Sequence, residues 1–219
     1  MDVAYRHTCL FTSRRRHRNV SCMRRASQPK ASECFPQHDP RKQLVAESIR
    51  GVADFPKPGI LFWDVTTLML DVQAFQTCMD LMVERYEKEK IDAVAGLEAR
   101  GLVFGAPLAL ALKCSFVMLR KPNKLPAEKV TESYDLEYGR DRIEMHVDAI
   151  QPGQKVLLVD DLIATGGTMA AGVRLIERVG AKVCECACVM ELPELHWRDK
   201  LAGKSVFVLI TSGKEAKHV

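Results

Sequence analysis

The stretch KVLLVDDLIATGGTMAA, residues 155–171, constrains the fold more than any other part of the chain. The apolar run from Val156 to Val159 reads as a strand buried on both faces. It passes directly into Asp160 and Asp161, and two like charges at the end of a buried strand are costly unless they are solvated or bound. Ala164-Thr165-Gly166-Gly167-Thr168 then turns the chain into a helix predicted from about Thr168 to Val179. Glycines let backbone N–H groups converge, and a helix N-terminus adds positive dipole character, so this turn is shaped to cradle a phosphate. The paired acids accept hydrogen bonds from vicinal hydroxyls or steady a cation. A diol site beside a phosphate site describes a ribose 5-phosphate. The Gly-x4-Gly-Lys-Ser/Thr loop and the Gly-x-Gly-x2-Gly fingerprint are both missing, so neither a Walker nor a dinucleotide reading applies.

The rest of the chain alternates strand and helix around this segment. RKQLVAESIRGVADF, residues 41–55, carries Leu44, Val45, Ile49 and Val52 near helical spacing and predicts a first helix, which FPKPG breaks. ILFWDVTTLMLD reads as an extended segment or loop. VQAFQTCMDLMVERYEKEK is a helix with Phe75, Met79, Met82 and Tyr86 on one face. IDAVAGLE is a short strand, GLVFGAPLALALK a helix with Pro107 near its first turn or kinking it, and SFVMLRK another strand. The polar segment 122–142 carries two prolines and reads as a mobile loop, followed by the weakly alternating IEMHVDAI. AKVCECACVMEL and SVFVLI close the chain as strands. Such alternation predicts an α/β fold with a mainly parallel central sheet flanked by helices, and ligands at the carboxyl ends of its strands. Both GLEARG and VDDLIATGGT fall at such ends.

Composition matters mostly at the N-terminus. The formal charge is +4, but residues 1–40 hold seven Arg and one Lys against Asp2, Glu33 and Asp39, leaving the remainder close to neutral. A protein-wide nucleic-acid surface is therefore not expected. Residues 1–40 read as a basic, acid-poor extension of the transit-peptide kind, targeting a plastid or mitochondrion; a disordered tail or a misassigned start are the alternatives. Residues 41–219 form the folded domain, expected in the cytoplasm unless that extension directs it elsewhere. No apolar run approaches the roughly 18 residues that span a bilayer. Cys184, Cys186 and Cys188 alternate as three small residues on one strand face, without the paired spacing of a zinc site, and reduced thiols imply a reducing compartment.

VLLVDDLIATGGT resembles the PRPP-binding motif of the type I phosphoribosyltransferases. GLEARGLVFGAPLA, RKPNKLP, SYDLEYGRDRIEMHVDAI and CVMELPEL, in that order over most of residues 41–211, resemble the adenine phosphoribosyltransferase family of plant or algal kind. That resemblance implies the type I phosphoribosyltransferase fold with a small N-terminal hood and a flexible lid loop. It implies transfer of phosphoribosyl from PRPP to adenine, giving AMP and pyrophosphate in purine salvage, in a homodimer. Mg2+ would be bound through PRPP and pyrophosphate, with no direct metal ligand in the protein. Asp160 and Asp161 would hold the ribose hydroxyls, and Ala164, Thr165, Gly166, Gly167 and Thr168 the 5-phosphate of PRPP or AMP. Glu98, Ala99, Arg100 and Gly101, with Arg120, Lys121 and Lys124, would meet the pyrophosphate, Arg100 also being a catalytic cation. Glu137 and Tyr138 match the catalytic pair of the lid, Glu137 exchanging a proton with N7 of the purine. Phe62 and Leu192 would sandwich adenine while the Leu61 backbone reads its edge.

Two residues depart from the pattern. Trp63 stands where a polar residue is common and is expected to alter the pocket rim, ligand affinity or a dimer contact; Trp197 stands where a small residue is usual and is expected to alter surface packing. Two other functions compete. One is transfer to another adenine-like base such as a cytokinin. The other is a catalytically silent PRPP-sensing regulator, against which stand the retained Glu137-Tyr138 pair and an N-terminal extension too short for a folded winged helix.

Overall fold

The computed structural model describes residues 39–136 and 139–212. At its centre is a five-stranded sheet in the order β4 (Ser115–Leu119), β3 (Ala93–Leu97), β7 (Lys155–Ile163), β8 (Lys182–Glu191), β9 (Val206–Thr211). Every pairing in it is parallel, as the strand–helix alternation requires. β3 is buried along its whole length, and β7 from Val156 to Val159, so their apolar runs are explained by cover on both faces. The helices α2 (Val72–Tyr86) and α3 (Arg100–Leu112) help to build one apolar layer, around Met82, Tyr86, Phe104 and Leu108. The helix α4 (Gly167–Arg178) builds the other, through Met169, Leu175 and Ile176.

The chain lays down β3, moves outward through α3 to β4, then returns to place β7 on the other side of β3. The junction between β3 and β7 is the topological switch point, where loops diverge and leave a crevice. Glu98–Gly101 follows β3 there and Ala164–Thr168 follows β7.

Three expectations change. The first helix, α1, spans only Pro40–Glu47; Arg50–Ala53 is a strand, β1, paired antiparallel with β2 (Leu61–Asp64). The helical spacing of Ile49 and Val52 is overridden because β2 offers a partner ladder. The predicted loop over 122–142 instead contributes to a hairpin, β5 (Lys129–Leu136) with β6 (Gly139–His146). Its pattern is polar because much of its attachment to α4 is ionic: the buried Glu132 accepts from Arg174 at 2.7 Å and also from Arg178. Finally, the three cysteines do not share one environment. The register between β7 and β8 shifts beside Val156 and Leu157, so Cys184 is exposed while Cys186 and Cys188 are buried. Pro107 lies inside α3.

Trp63 and Trp197 are both core residues, only 6% and 1% exposed, so Trp197 is not a surface feature. Among the described residues no helix is long and apolar enough to cross a membrane.

The closeness of α3 to β7 rests on Gly101. A Cβ there would lie 2.6 Å from the Val159 carbonyl oxygen and 3.1 Å from the Asp160 Cα, backbone atoms that cannot step aside. Gly101→Ala is therefore expected to cost about 1–3 kcal/mol, as overpacking does, with an unchanged urea m-value. Urea denaturation measures it; a loss under about 0.5 kcal/mol would mean that the helix lifts without penalty.

Candidate active site

β7 does not stop at the acid pair. It continues to Ile163, Leu162 and Ile163 pairing with Met190 and Glu191 of β8, so both aspartates are held in a regular ladder rather than at a frayed tip. Adjacent strand residues face opposite ways. Asp160 lines a cavity of about 110 Å³ together with Leu162–Met169. Asp161 is buried, 4% exposed, and its carboxylate accepts from Arg100 Nε at 2.5 Å. The Asp161 N–H donates to Asp160 Oδ1 at 2.9 Å. Burial, and after it the neighbouring charge of Asp161, push the Asp160 carboxyl well above the usual carboxylate range.

The other wall of the cavity is the start of α4. Its N-cap, Gly166, sits at φ +75°, a left-handed conformation that disfavours a side chain. No side chain caps this end, and the first N–H groups of any helix lack partners within it. Gly166 also rests on Trp197, whose carbonyl oxygen would be 2.9 Å from an added Cβ. Trp197 is in turn covered by the Arg198 guanidinium, 4.1 Å from its ring centre, and Arg198 pairs with Glu191 at 2.9 Å. A residue expected at the surface is thus the floor of the anion turn. Of the residues assigned to ribose and phosphate, Asp160, Ala164, Thr165, Gly166, Gly167 and Thr168 line this one cavity; Asp161 stands behind it.

Across the switch point lies a basic set. Glu98 follows β3, and its carboxylate accepts from Arg120 Nε at 2.8 Å and from the Lys121 N–H at 2.7 Å. Burial opposes its ionisation, but these two donors prevail and hold the carboxyl below its usual range. Glu98 therefore aligns the cations rather than presenting an acid to a ligand. The Glu98–Ala99 peptide bond is cis. Lys124 is exposed nearby. Lys121 Nζ turns to Tyr134 Oη at 2.7 Å and to the Asp141 carboxylate. Tyr134 and Asp141 were not anticipated: no local pattern marks them, and only the hairpin register sets them opposite each other.

The proposed base pocket is partly assembled. Leu61, Phe62 and Leu192 are half-buried, and Leu61 and Leu192 border the same apolar layer. Phe62 meets Phe55 edge-on at 5.1 Å, and Leu192 donates its N–H to the Ile163 carbonyl at 3.0 Å. Glu137 and Tyr138 lie outside the described residues.

The Asp160 carboxyl supplies a pH test. Because its folded value is raised, its favourable contribution is fully present below the ordinary carboxylate value, about 4, and is lost as pH rises through the folded value. Asp160→Asn keeps the oxygen that accepts from Asp161 and removes the charge. It is expected to raise Tm at pH 8 by about 2–4 °C for each kcal/mol relieved, with the gain shrinking toward pH 4. Calorimetric scans across that range decide; an equal gain at every pH would place the effect elsewhere.

A sequence profile of the Phosphoribosyl transferase domain matches residues 68–212. The chain is 62% identical over 172 residues to adenine phosphoribosyltransferase 1 of Triticum aestivum, covering 78% of this chain and 95% of that protein. It is 52% identical over 201 residues to the chloroplastic adenine phosphoribosyltransferase 1 of Arabidopsis thaliana, covering 90% of this chain and 83% of that one. Among solved structures, that of adenine phosphoribosyltransferase from Saccharomyces cerevisiae, bound to adenine and an imino-altritol bisphosphate, superposes with a TM-score of 0.73. It is 40% identical, over 78% of this chain and 98% of that one. Built on the type I phosphoribosyltransferase fold, this chain belongs to the adenine phosphoribosyltransferases.

Proposed function

We propose that the protein makes AMP and pyrophosphate from adenine and PRPP, a step of purine salvage. The observation that carries this reading is the facing of two sites across one switch point: an acid pair with an uncapped helix N-terminus on β7, and a cation set ordered by Glu98 beyond β3. One end takes a ribose 5-phosphate; the other takes the diphosphate that leaves from C1.

In this reading the Thr165 hydroxyl joins the N–H groups of Ala164–Thr168 around the 5-phosphate, while the Thr168 hydroxyl donates to Tyr134. Asp160 and Asp161 hold the ribose hydroxyls. Arg100 uses Nε–H on Asp161, which leaves the terminal N–H groups of the same planar fork for phosphate oxygens. Arg120, Lys121 and Lys124 face the pyrophosphate. As the C1–O bond breaks, the ribose gains oxocarbenium character while the basic set stabilises the departing diphosphate. N9 of adenine forms the new bond to C1 as Glu137 takes the N7 proton. Tyr138 covers the ribose. Leu61, Phe62 and Leu192 supply the apolar walls and the backbone edge that select adenine. Magnesium would be carried by PRPP and pyrophosphate, with no direct ligand from the protein, and would supply further neutralisation of the leaving group.

A homodimer belongs to the same proposal, supported by exposed Val103 and Leu110 on α3 and Met118 on the edge strand β4. So does plastid delivery by residues 1–40, supported by the relative named chloroplastic. Cytoplasmic residence is the expected outcome without such delivery.

Purified protein with Mg2+ and PRPP is expected to form AMP from adenine and no nucleotide from guanine or hypoxanthine; chromatography of products across a panel of bases, cytokinins included, checks this. PRPP binding without any turnover of adenine would identify a regulator instead. Glu137→Gln is expected to lower kcat by about 10²–10⁴, the span of general acid–base catalysis, with little change in the affinity for PRPP. Parallel loss of both would make Glu137 a binding residue.

A further inference from the structure

One phenol connects the two halves of the site. Tyr134 is 5% exposed, packed in the α4-side layer, and its hydroxyl lies 2.7 Å from Lys121 Nζ, 3.1 Å from Asp141 Oδ2 and 3.3 Å from Thr168 Oγ1. A phenol has one hydrogen to donate and two lone pairs. It donates to Asp141 and accepts from Lys121 and from Thr168, which uses all its capacity. Asp141 completes the group: it stands opposite Tyr134 in the hairpin register and forms an ion pair with the same Lys121 ammonium. Two of the three Lys121 N–H donors are then engaged, and one remains. Lys121 is also held at its root, its backbone N–H donating to Glu98.

The consequence is a fixed spacing. Lys121 belongs to the basic set beyond β3, while Thr168 opens α4 beside the cavity. Without the tether, Lys121 would carry a flexible stem whose rotamer freedom is lost only when a ligand binds. With the tether, that freedom is lost in folding, and the remaining N–H points from a set position.

We infer that Tyr134 and Asp141 are positioning residues that hold the Lys121 ammonium and the first turn of α4, through the Thr168 hydroxyl, at a set separation, matched to a ligand carrying phosphate groups at both ends of one ribose. The inference rests on the functional reading above, since it takes Lys121 to meet the pyrophosphate and the Thr168 backbone N–H the 5-phosphate. Neither Tyr134 nor Asp141 touches the substrate in this scheme.

The test compares the full-length chain with Tyr134→Phe, Asp141→Asn, Asp141→Glu and the Phe/Asn double variant. Tyr134→Phe retains the buried ring, so packing survives. Tyr134→Phe and Asp141→Asn are each expected to raise the KM for PRPP about tenfold, with kcat within about threefold and the KM for adenine unchanged, the pattern of lost uniform binding. Asp141→Glu restores most of the affinity. The double variant is no worse than about the poorer single one, because both act through Lys121. Calorimetric titration with PRPP reads the same loss without turnover. Should the wild type bind PRPP but not convert adenine, the functional reading falls, and the titrations still decide the positioning role. Unchanged PRPP affinity in both single variants, or a loss matched by an equal fall in adenine affinity and in Tm, overturns the inference.

Discussion

The pairing of β3 with β7 is the contact on which the rest of the molecule depends. These strands are the middle of the sheet, and the direction of chain travel reverses between them. Their carboxyl ends therefore carry the two loops that must face one another. The pairing alone does not bring those loops close enough. α3 descends onto β7 at Gly101, where the helix backbone meets that of Val159 and Asp160 with no room for a methyl group. Arg100, one residue earlier, is thereby delivered to Asp161. A packing constraint between backbones thus fixes an electrostatic contact between loops that are distant in sequence.

That contact organises charge that would otherwise oppose folding. Two adjacent carboxylates on a partly buried strand repel one another, and of the two only Asp161 forms an ion pair among the described residues. Asp161 is neutralised by Arg100 behind the cavity. Asp160, on the cavity side, retains the unfavourable part. Such strain between stability and chemistry is characteristic of binding sites, where the bound molecule supplies the missing partner. Glu98 shows the reverse arrangement, since its partners are internal and hold two cationic residues in place.

The β5–β6 hairpin joins these features to the far side of α4. Glu132 takes hydrogen bonds from Arg174 and Arg178 at the helix's C-terminal half, while Tyr134 reaches Thr168 at its start. The hairpin is thus attached to both ends of α4, largely by charged and polar groups. Beneath the same helix start, Trp197 fills the space under Gly166. The anion turn is supported from below by an aromatic residue and from the side by a phenol.

The chain's order of strands and helices was legible in its sequence because apolar periodicity is a local property. Val156–Val159 and Ala93–Leu97 could hardly be anything but buried strands, and Ala164–Thr168 declared a glycine turn into a helix through consecutive residue types. Those features require no knowledge of what lies across from them. Arg50–Ala53 became a strand only because Leu61–Asp64 lay beside it, and the polar hairpin formed because α4 offered arginines to Glu132. Trp197 was buried by a turn more than thirty positions earlier in the chain, and a register shift separated Cys184 from its neighbours. Tyr134 and Asp141 acquired their meaning from cross-strand pairing and from Lys121, none of which leaves a local signature. The sequence by itself determined the central sheet, the glycine turn before α4 and the family. Tertiary structure alone decided which side chains stand between the two halves of the site, because their partners are brought together only when the chain has folded.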